Sequence, residues 1–218
     1  MLLTTRRAVL AEAVGTAVLV MSVVGSGIMT QRLTDDDGLQ LLLNALATVA
    51  ALGVLVVVLR PVSGAHLNPV VSAVLLARGD ISPRRCAAYV PAQVVGAVAG
   101  TVVAHAMYEQ ALVSTFDADR SGAGQWLGEV VATAGLVLVV LLVDRRAIAL
   151  AVPAWIGAAY VVTSSTSFAN PAVTVGRALT DSFSGIAWAD VPGFVVAQVV
   201  GGLAALALAP LLTAQEDP

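Results

Sequence analysis

The 218-residue chain contains no lysine, a single cysteine and two histidines, and only 5% of its residues are aromatic. Charged residues make up 11%, against about 25% in a soluble domain. Each scarcity excludes something. One cysteine, Cys86, rules out an intrachain disulfide and a multi-cysteine metal site, and reads as a buried, inert thiol. The two histidines, His66 and His105, belong to no G-x-S-x-G nucleophile motif and no H-E-x-x-H zinc motif, so neither an enzyme nor a metal or other cofactor site is expected. A net charge of −3 leaves no basic surface for nucleic acid.

What remains is apolar. Hydrophobic residues make up 58% of the chain and the mean hydropathy is +0.91. A soluble fold would have to expose much of that surface. With few aromatics, the apolar mass is Ala, Val, Leu and Gly, a mixture suited to helices packed closely in lipid. Six apolar segments are predicted to span: Ala8–Met29, Leu39–Leu59, Cys86–Tyr108, Trp126–Val143, Ala147–Ser164 and Val191–Leu212. The first runs on to Met29 with no A-x-A cleavage site at its end and is too long for a signal-peptide core, so it is read as a retained span. The predicted fold is an all-α membrane protein, one domain over residues 1–218, with no room for a separate soluble domain.

Arginine counting gives an orientation. With both termini on one side, that side holds Arg6, Arg7, Arg60, Arg78, Arg84, Arg85, Arg145 and Arg146, and the other holds Arg32, Arg120 and Arg177. Both termini are therefore expected in the cytoplasm, with the chain in the inner membrane. Asp35, Asp36, Asp37, Glu109, Asp117, Asp119, Asp181 and Asp190 then lie outside.

Two separators are not ordinary loops. Ser63–Gly79 and Ser165–Leu179 each contain Asn-Pro followed by two or three apolar helical turns. Asn is a favoured N-cap and Pro a favoured first helical residue, so Asn68-Pro69 and Asn170-Pro171 read as helix starts. Such helices are too short to span and too apolar for water. They are expected to re-enter the membrane, where protein or a water-filled space must cover their open ends. The halves also match each other. Ala11-Glu12-Ala13-Val14-Gly15-Thr16 resembles Gly128-Glu129-Val130-Val131-Ala132-Thr133, and Ala92-Gln93-Val94-Val95-Gly96 resembles Ala197-Gln198-Val199-Val200-Gly201. Three spans per repeat, about 1–110 and 124–218, force the repeats to insert upside down relative to each other, with the functional site near the midplane where the half-helices meet.

An N-cap Asn uses its side-chain oxygen on its own helix and keeps its NH₂ as a donor. Two such donors, backed by two positive helix ends, suit the oxygen of a passing neutral molecule and repel cations. The residues before each Asn, Gly64, Ala65 and His66 and then Thr166, Ser167 and Phe168, are expected to run extended and offer carbonyl acceptors.

On these motifs the chain resembles the aquaporin and glycerol-channel family, the major intrinsic proteins. The match covers nearly the whole chain: six spans, the triplets Asn68-Pro69-Val70 and Asn170-Pro171-Ala172, Glu12 and Glu129, and Ala-Gln-x-x-Gly around Gln93 and Gln198. The resemblance implies a passive channel for small neutral solutes and a homotetramer. It also implies that Glu12 and Glu129 brace the half-helix loops; Gln93 and Gln198 are expected to bond across the repeat interface. Family members selective for water or glycerol place Arg directly after the second triplet, in the outer filter. Here that position is Val173. By the same resemblance the other filter positions are Thr48, either Gly157 or Ala158, and either Ser167 or Phe168, which implies a wide, weakly polar filter. Asn44 and Arg177, each one turn further out, are candidates for a displaced outer ring; a helix–helix hydrogen bond for Asn44, and snorkelling or pairing with Asp181 for Arg177, are the alternatives. The stretch TSSTSFANPAVT is similar to a bacterial subgroup associated with arsenic resistance, which implies conduction of neutral As(OH)₃ and extends to methylated arsenicals, besides glycerol or water. A secondary transporter with inverted repeats is the rival reading; its mark would be saturable, ion-dependent uptake.

Overall fold

The computed structural model describes residues 2–116 and 119–213. Asp117, assigned to the outer side above, lies outside them. Among the described residues the secondary structure is entirely helical. The order is α1 (Leu2–Leu33), α2 (Asp37–Ser63), α3 (Pro69–Ala77), α4 (Pro83–Met107), α5 (Ala123–Leu142), α6 (Ile148–Val162), α7 (Pro171–Arg177) and α8 (Val191–Thr213). The two shortest, α3 and α7, are the predicted re-entrant helices.

Local chemistry sets the boundaries. The Asp36 carboxylate accepts from the Leu39 amide at 2.7 Å and opens α2, and Gly64 closes it in the left-handed region at φ +98°. Ser82 and Pro83 open α4 in the same cap-then-proline manner as the two half-helices. Among the described residues, five helices are long and apolar enough to cross a membrane. The sixth, α6, has 15 residues, or about 22 Å, so its crossing uses the turns that flank it.

α1 packs on α4, and α5 on α8, through backbone contact. A Cβ on Gly96 would lie 2.2 Å from the Ala13 carbonyl oxygen, and one on Gly100 2.3 Å from that of Ala17. In the other repeat a Cβ on Gly201 would lie 2.5 Å from the Val130 carbonyl oxygen. The glycine of each Ala-Gln-x-x-Gly motif is thus where two helices touch, as close packing in lipid requires. Each half-helix then packs on both α4 and α8. Thr101 of α4 donates to the Gly176 carbonyl of α7 at 2.8 Å. Val70 of α3 faces Gly202 of α8, where a Cβ would lie 2.4 Å from Val70 Cγ1. The extra bulk of Val70 in the first triplet is therefore taken up against α8, and the side chain packs with Val74, Val137 and Ala205.

Candidate functional site

The two half-helices meet N-terminus to N-terminus, and the junction is tied reciprocally. Asn68 Oδ1 accepts from the Val70 amide at 2.9 Å; Asn170 Oδ1 accepts from the amides of Ala172 at 3.0 Å and Val173 at 3.3 Å. Asn68 Nδ2 donates to the Ala169 carbonyl and Asn170 Nδ2 to the Leu67 carbonyl, each at 2.7 Å. Each amide thus caps its own helix and uses one of its two hydrogens to bind the opposite loop. One hydrogen per Asn remains, and both residues line the same cavity.

Behind each loop a fully buried carboxylate gathers donors. Glu12 accepts from the His66 and Leu67 amides at 3.0 and 2.6 Å, from Ser63 Oγ at 2.6 Å and from Gln93 Nε2 at 2.8 Å. Glu129 accepts from the Phe168 and Ala169 amides at 2.8 and 2.9 Å and from Gln198 Nε2 at 2.6 Å. The glutamines continue to Ser72 and Thr174, four residues after each Asn. Gln93 and Gln198 therefore bond within their own repeats and not across the repeat interface, because the glutamate they serve lies on the helix beside them.

The loops were expected to run extended and do not. Ala65 and Leu67 have φ of +50°, Thr166, Ser167 and Ala169 +60°, +53° and +49°. Alternating the hand of successive residues makes an anion-binding nest, with consecutive N–H groups converging on one side. Glu12 and Glu129 occupy those nests. The cost of holding non-glycine residues at positive φ is offset by the charge-assisted bonds to each carboxylate. No donor among the described residues bonds the carbonyls of Gly64, Ala65 and His66, or those of Thr166, Ser167 and Phe168.

The cavity runs along these loops. Gly64, Ala65, His66, Asn68, Ser167, Phe168, Asn170, Val173 and Thr48 line it, together with an apolar wall of Leu19, Val23, Leu52, Val56, Val71, Leu75, Leu136, Val140, Ile148, Val152, Ile156 and Tyr160. The space open to the centre of a water molecule is about 100 Å³, enough for several waters. At one end it shares Val56, Gly64, His66, Leu75, Val140 and Ile148 with a wider mouth lined by Arg60, Arg78, Arg85 and Arg145. At the other end stand Thr48, Tyr160, Ser167, Phe168 and Val173.

The structure at that end corrects the expectations for Gly157 and Ala158, for Thr166 and for Arg177, and for Asn44 it bears out the helix–helix hydrogen bond. Neither Gly157 nor Ala158 lines the cavity; α6 contributes Ile156 and Tyr160. Gly157 faces Val49 of α2, where a Cβ would meet Cγ2 at 2.8 Å, and Ala158 is exposed. Tyr160 and Thr48 share a hydrogen bond of 3.2 Å between their hydroxyls, so this end carries two aromatic rings, Tyr160 and Phe168, where a small residue and one further side chain were expected. Asn44 is buried away from the lumen and donates to the Val23 carbonyl at 2.8 Å and to Ser26 Oγ at 2.9 Å, joining α2 to α1. Thr166 lies outside the main cavity, in a separate one with Gln40, Phe116 and Arg120. Both Ser167 and Phe168 reach the lumen, and Ser167 Oγ is buried with no protein partner. Arg177 is neither at the interface nor paired with Asp181: it is buried, with its Nε donating to the Ser184 carbonyl.

The apolar wall was missed. Thr48, Leu52 and Val56, and Ile148, Val152, Ile156 and Tyr160, recur every fourth residue and share one face of α2 and of α6. The spacing is in the sequence, but the lipid-facing stripes of these helices are equally apolar, so nothing distinguishes lumen from lipid.

Comparison with known proteins agrees with this geometry. Residues 2–163 match the family model described as Major intrinsic protein. The chain is 52% identical over 207 residues to the aquaglyceroporin AqpS of Rhizobium meliloti (strain 1021), covering 94% of this chain and 88% of that protein. A 99-residue stretch, 45% of the chain, is 41% identical to aquaporin-2 of Dasypus novemcinctus and covers 87% of that sequence. The X-ray structure of the aquaglyceroporin from Plasmodium falciparum superposes with a TM-score of 0.70 at 22% identity, covering 94% of this chain and 95% of that one, a likeness of fold. Paired Asn-Pro half-helices, a carboxylate nested behind each, and these matches agree: the chain is a multi-pass membrane protein and belongs to the major intrinsic protein family.

Proposed function

We propose that the protein is a passive channel for small uncharged solutes, with polyols such as glycerol and the neutral hydroxide As(OH)₃ among those it passes. The observation that carries this reading is the lumen's chemistry. Asn68 and Asn170 each keep one amide hydrogen beside unbonded carbonyls, and no carboxylate among the described residues lines the cavity. Such a path offers donors and acceptors to a hydroxyl and no site for a coupling cation, which sets it against an ion-driven transporter.

The ring of Thr48, Tyr160, Ser167, Phe168 and Val173 refines the solute class. Three hydroxyls stand against a methyl-bearing side chain and a phenyl ring. A molecule with hydroxyls on one face and C–H groups on the other satisfies both walls. In most of the family this ring holds an arginine, and Val173 takes its place here without charge or donor. The relative from Rhizobium meliloti is itself named an aquaglyceroporin.

The test is light-scattering and uptake assays on proteoliposomes. Glycerol and arsenite are expected to enter at least about tenfold faster than into protein-free liposomes, linearly with concentration and without an ion gradient. Glycerol uptake with no arsenite uptake would leave a water and glycerol facilitator and end the arsenic reading. Val173→Arg is expected to cut glycerol and arsenite uptake by about tenfold or more while water flux persists, because the guanidinium fills the bore. Unchanged selectivity by size in that variant would remove Val173 from the filter.

A further inference from the structure

Val173 leaves the ring without a charge, yet a guanidinium stands one phenyl thickness away. Arg177 lies one turn beyond Val173 on α7 and is 2% exposed. Its Cζ is 3.3 Å from the centroid of the Phe168 ring, and Phe168 lines the cavity. Its Nε is bonded to the Ser184 carbonyl, and its Nη1 is buried without a partner. No carboxylate among the described residues lies within 4 Å: the ion pair found among them, Arg78–Asp80, is elsewhere. The C-terminal end of α7 offers Arg177 a favourable dipole, but that does not account for the orphaned Nη1. A buried, unpaired cation at this depth is costly and marks function more often than architecture.

We propose that Arg177, screened by Phe168, supplies the positive potential that keeps cations out of this lumen, the ring keeping the guanidinium from filling the bore or binding solute. The barrier to charge and the bore are then set by different residues. A cation acts across a ring's thickness of low-dielectric matter far more strongly than across water, so it need not touch the lumen. Arg120 is the other cation near the ring, 5.5 Å from the Phe168 centroid. It is half-buried, its amide bonds the Asp190 carboxylate, and it shares its cavity with Asp37, so acids offset it. Glu129 acts on both arginines from a distance, and no acid among the described residues is bonded to Arg177.

The inference rests on the channel reading, and two solutes keep the two apart. Glycerol uptake by the wild type stands or falls with the channel; radiolabelled sodium uptake by two variants stands or falls with Arg177. Arg177→Met keeps the bulk and removes the charge. It is expected to raise sodium uptake by about tenfold over the wild type while glycerol uptake stays within about twofold. Phe168→Ala widens the ring and keeps the charge, so sodium uptake is expected to remain at the wild-type level. The reverse pattern, a sodium leak in Phe168→Ala and none in Arg177→Met, would show a steric barrier and overturn the proposal. Should Arg177→Met fail to fold, Phe168→Ala decides alone, because a leak there is incompatible with a barrier made by Arg177.

Discussion

Two asparagines and two glutamates carry the centre of this protein, and each is used to near capacity. Glu129 takes the Phe168 and Ala169 amides and Gln198 Nε2, three donors on two oxygens. Replacing one oxygen by NH₂ turns a donor toward donors that have nowhere else to go. Glu129→Gln is therefore expected to destabilise the folded protein by about 1–3 kcal/mol, read as a lower unfolding temperature in detergent, and to slow solute uptake through the loosened loop. A variant that melts like the wild type would mean that the nest holds itself. The same substitution at Glu12 meets four donors, so its effect should be at least as large. These four residues were legible from sequence because polar side chains in an apolar chain stand out, and because each recurs in the second repeat. The partners of Gln93 and Gln198 were not, since sequence gives a glutamine's reach but not its neighbour.

Helices in this chain are distinguished by where they are small and where they are capped. The six apolar runs and the two Asn-Pro starts give every element to within a few residues, except that α1 begins at Leu2 and reaches Leu33, beyond its apolar run. All faces of α6 are apolar, so its sequence does not mark the face toward the lumen, and Tyr160 stands there in place of Gly157 or Ala158. Glycine was the more informative signal. Gly201 meets the Val130 carbonyl, a backbone atom that cannot rotate away. Gly201→Ala is expected to force α5 and α8 apart and lose about 1–3 kcal/mol, whereas Gly124→Ala, whose Cβ would meet nothing within 4 Å, should be neutral or slightly stabilising. Thermal unfolding of the two variants side by side checks this. Equal effects would show that the close approach of α5 to α8 is not what limits stability.

Across the molecule, the arginines divide the two ends. Arg60, Arg78, Arg85 and Arg145 line one mouth with a single acid, Asp80, whereas the cavity at the other end is lined by one arginine, Arg120, and one acid, Asp37. Six crossings place both termini at the arginine-rich end, and basic loops are retained in the cytoplasm during insertion. The expected orientation therefore exposes the Thr48–Val173 end of the pore to the outside and the four-arginine mouth to the cell interior. Single cysteines test it. Cys86 is buried and gives a quiet background, while Ala77 and Ser121 are exposed at opposite ends of the fold. In intact cells a membrane-impermeant maleimide should label Ser121→Cys and leave Ala77→Cys unlabelled until the membrane is opened. Labelling of Ala77→Cys in intact cells would invert the molecule. The four arginines would then greet solutes arriving from outside, and Arg177 would guard the exit of the pore rather than its entrance.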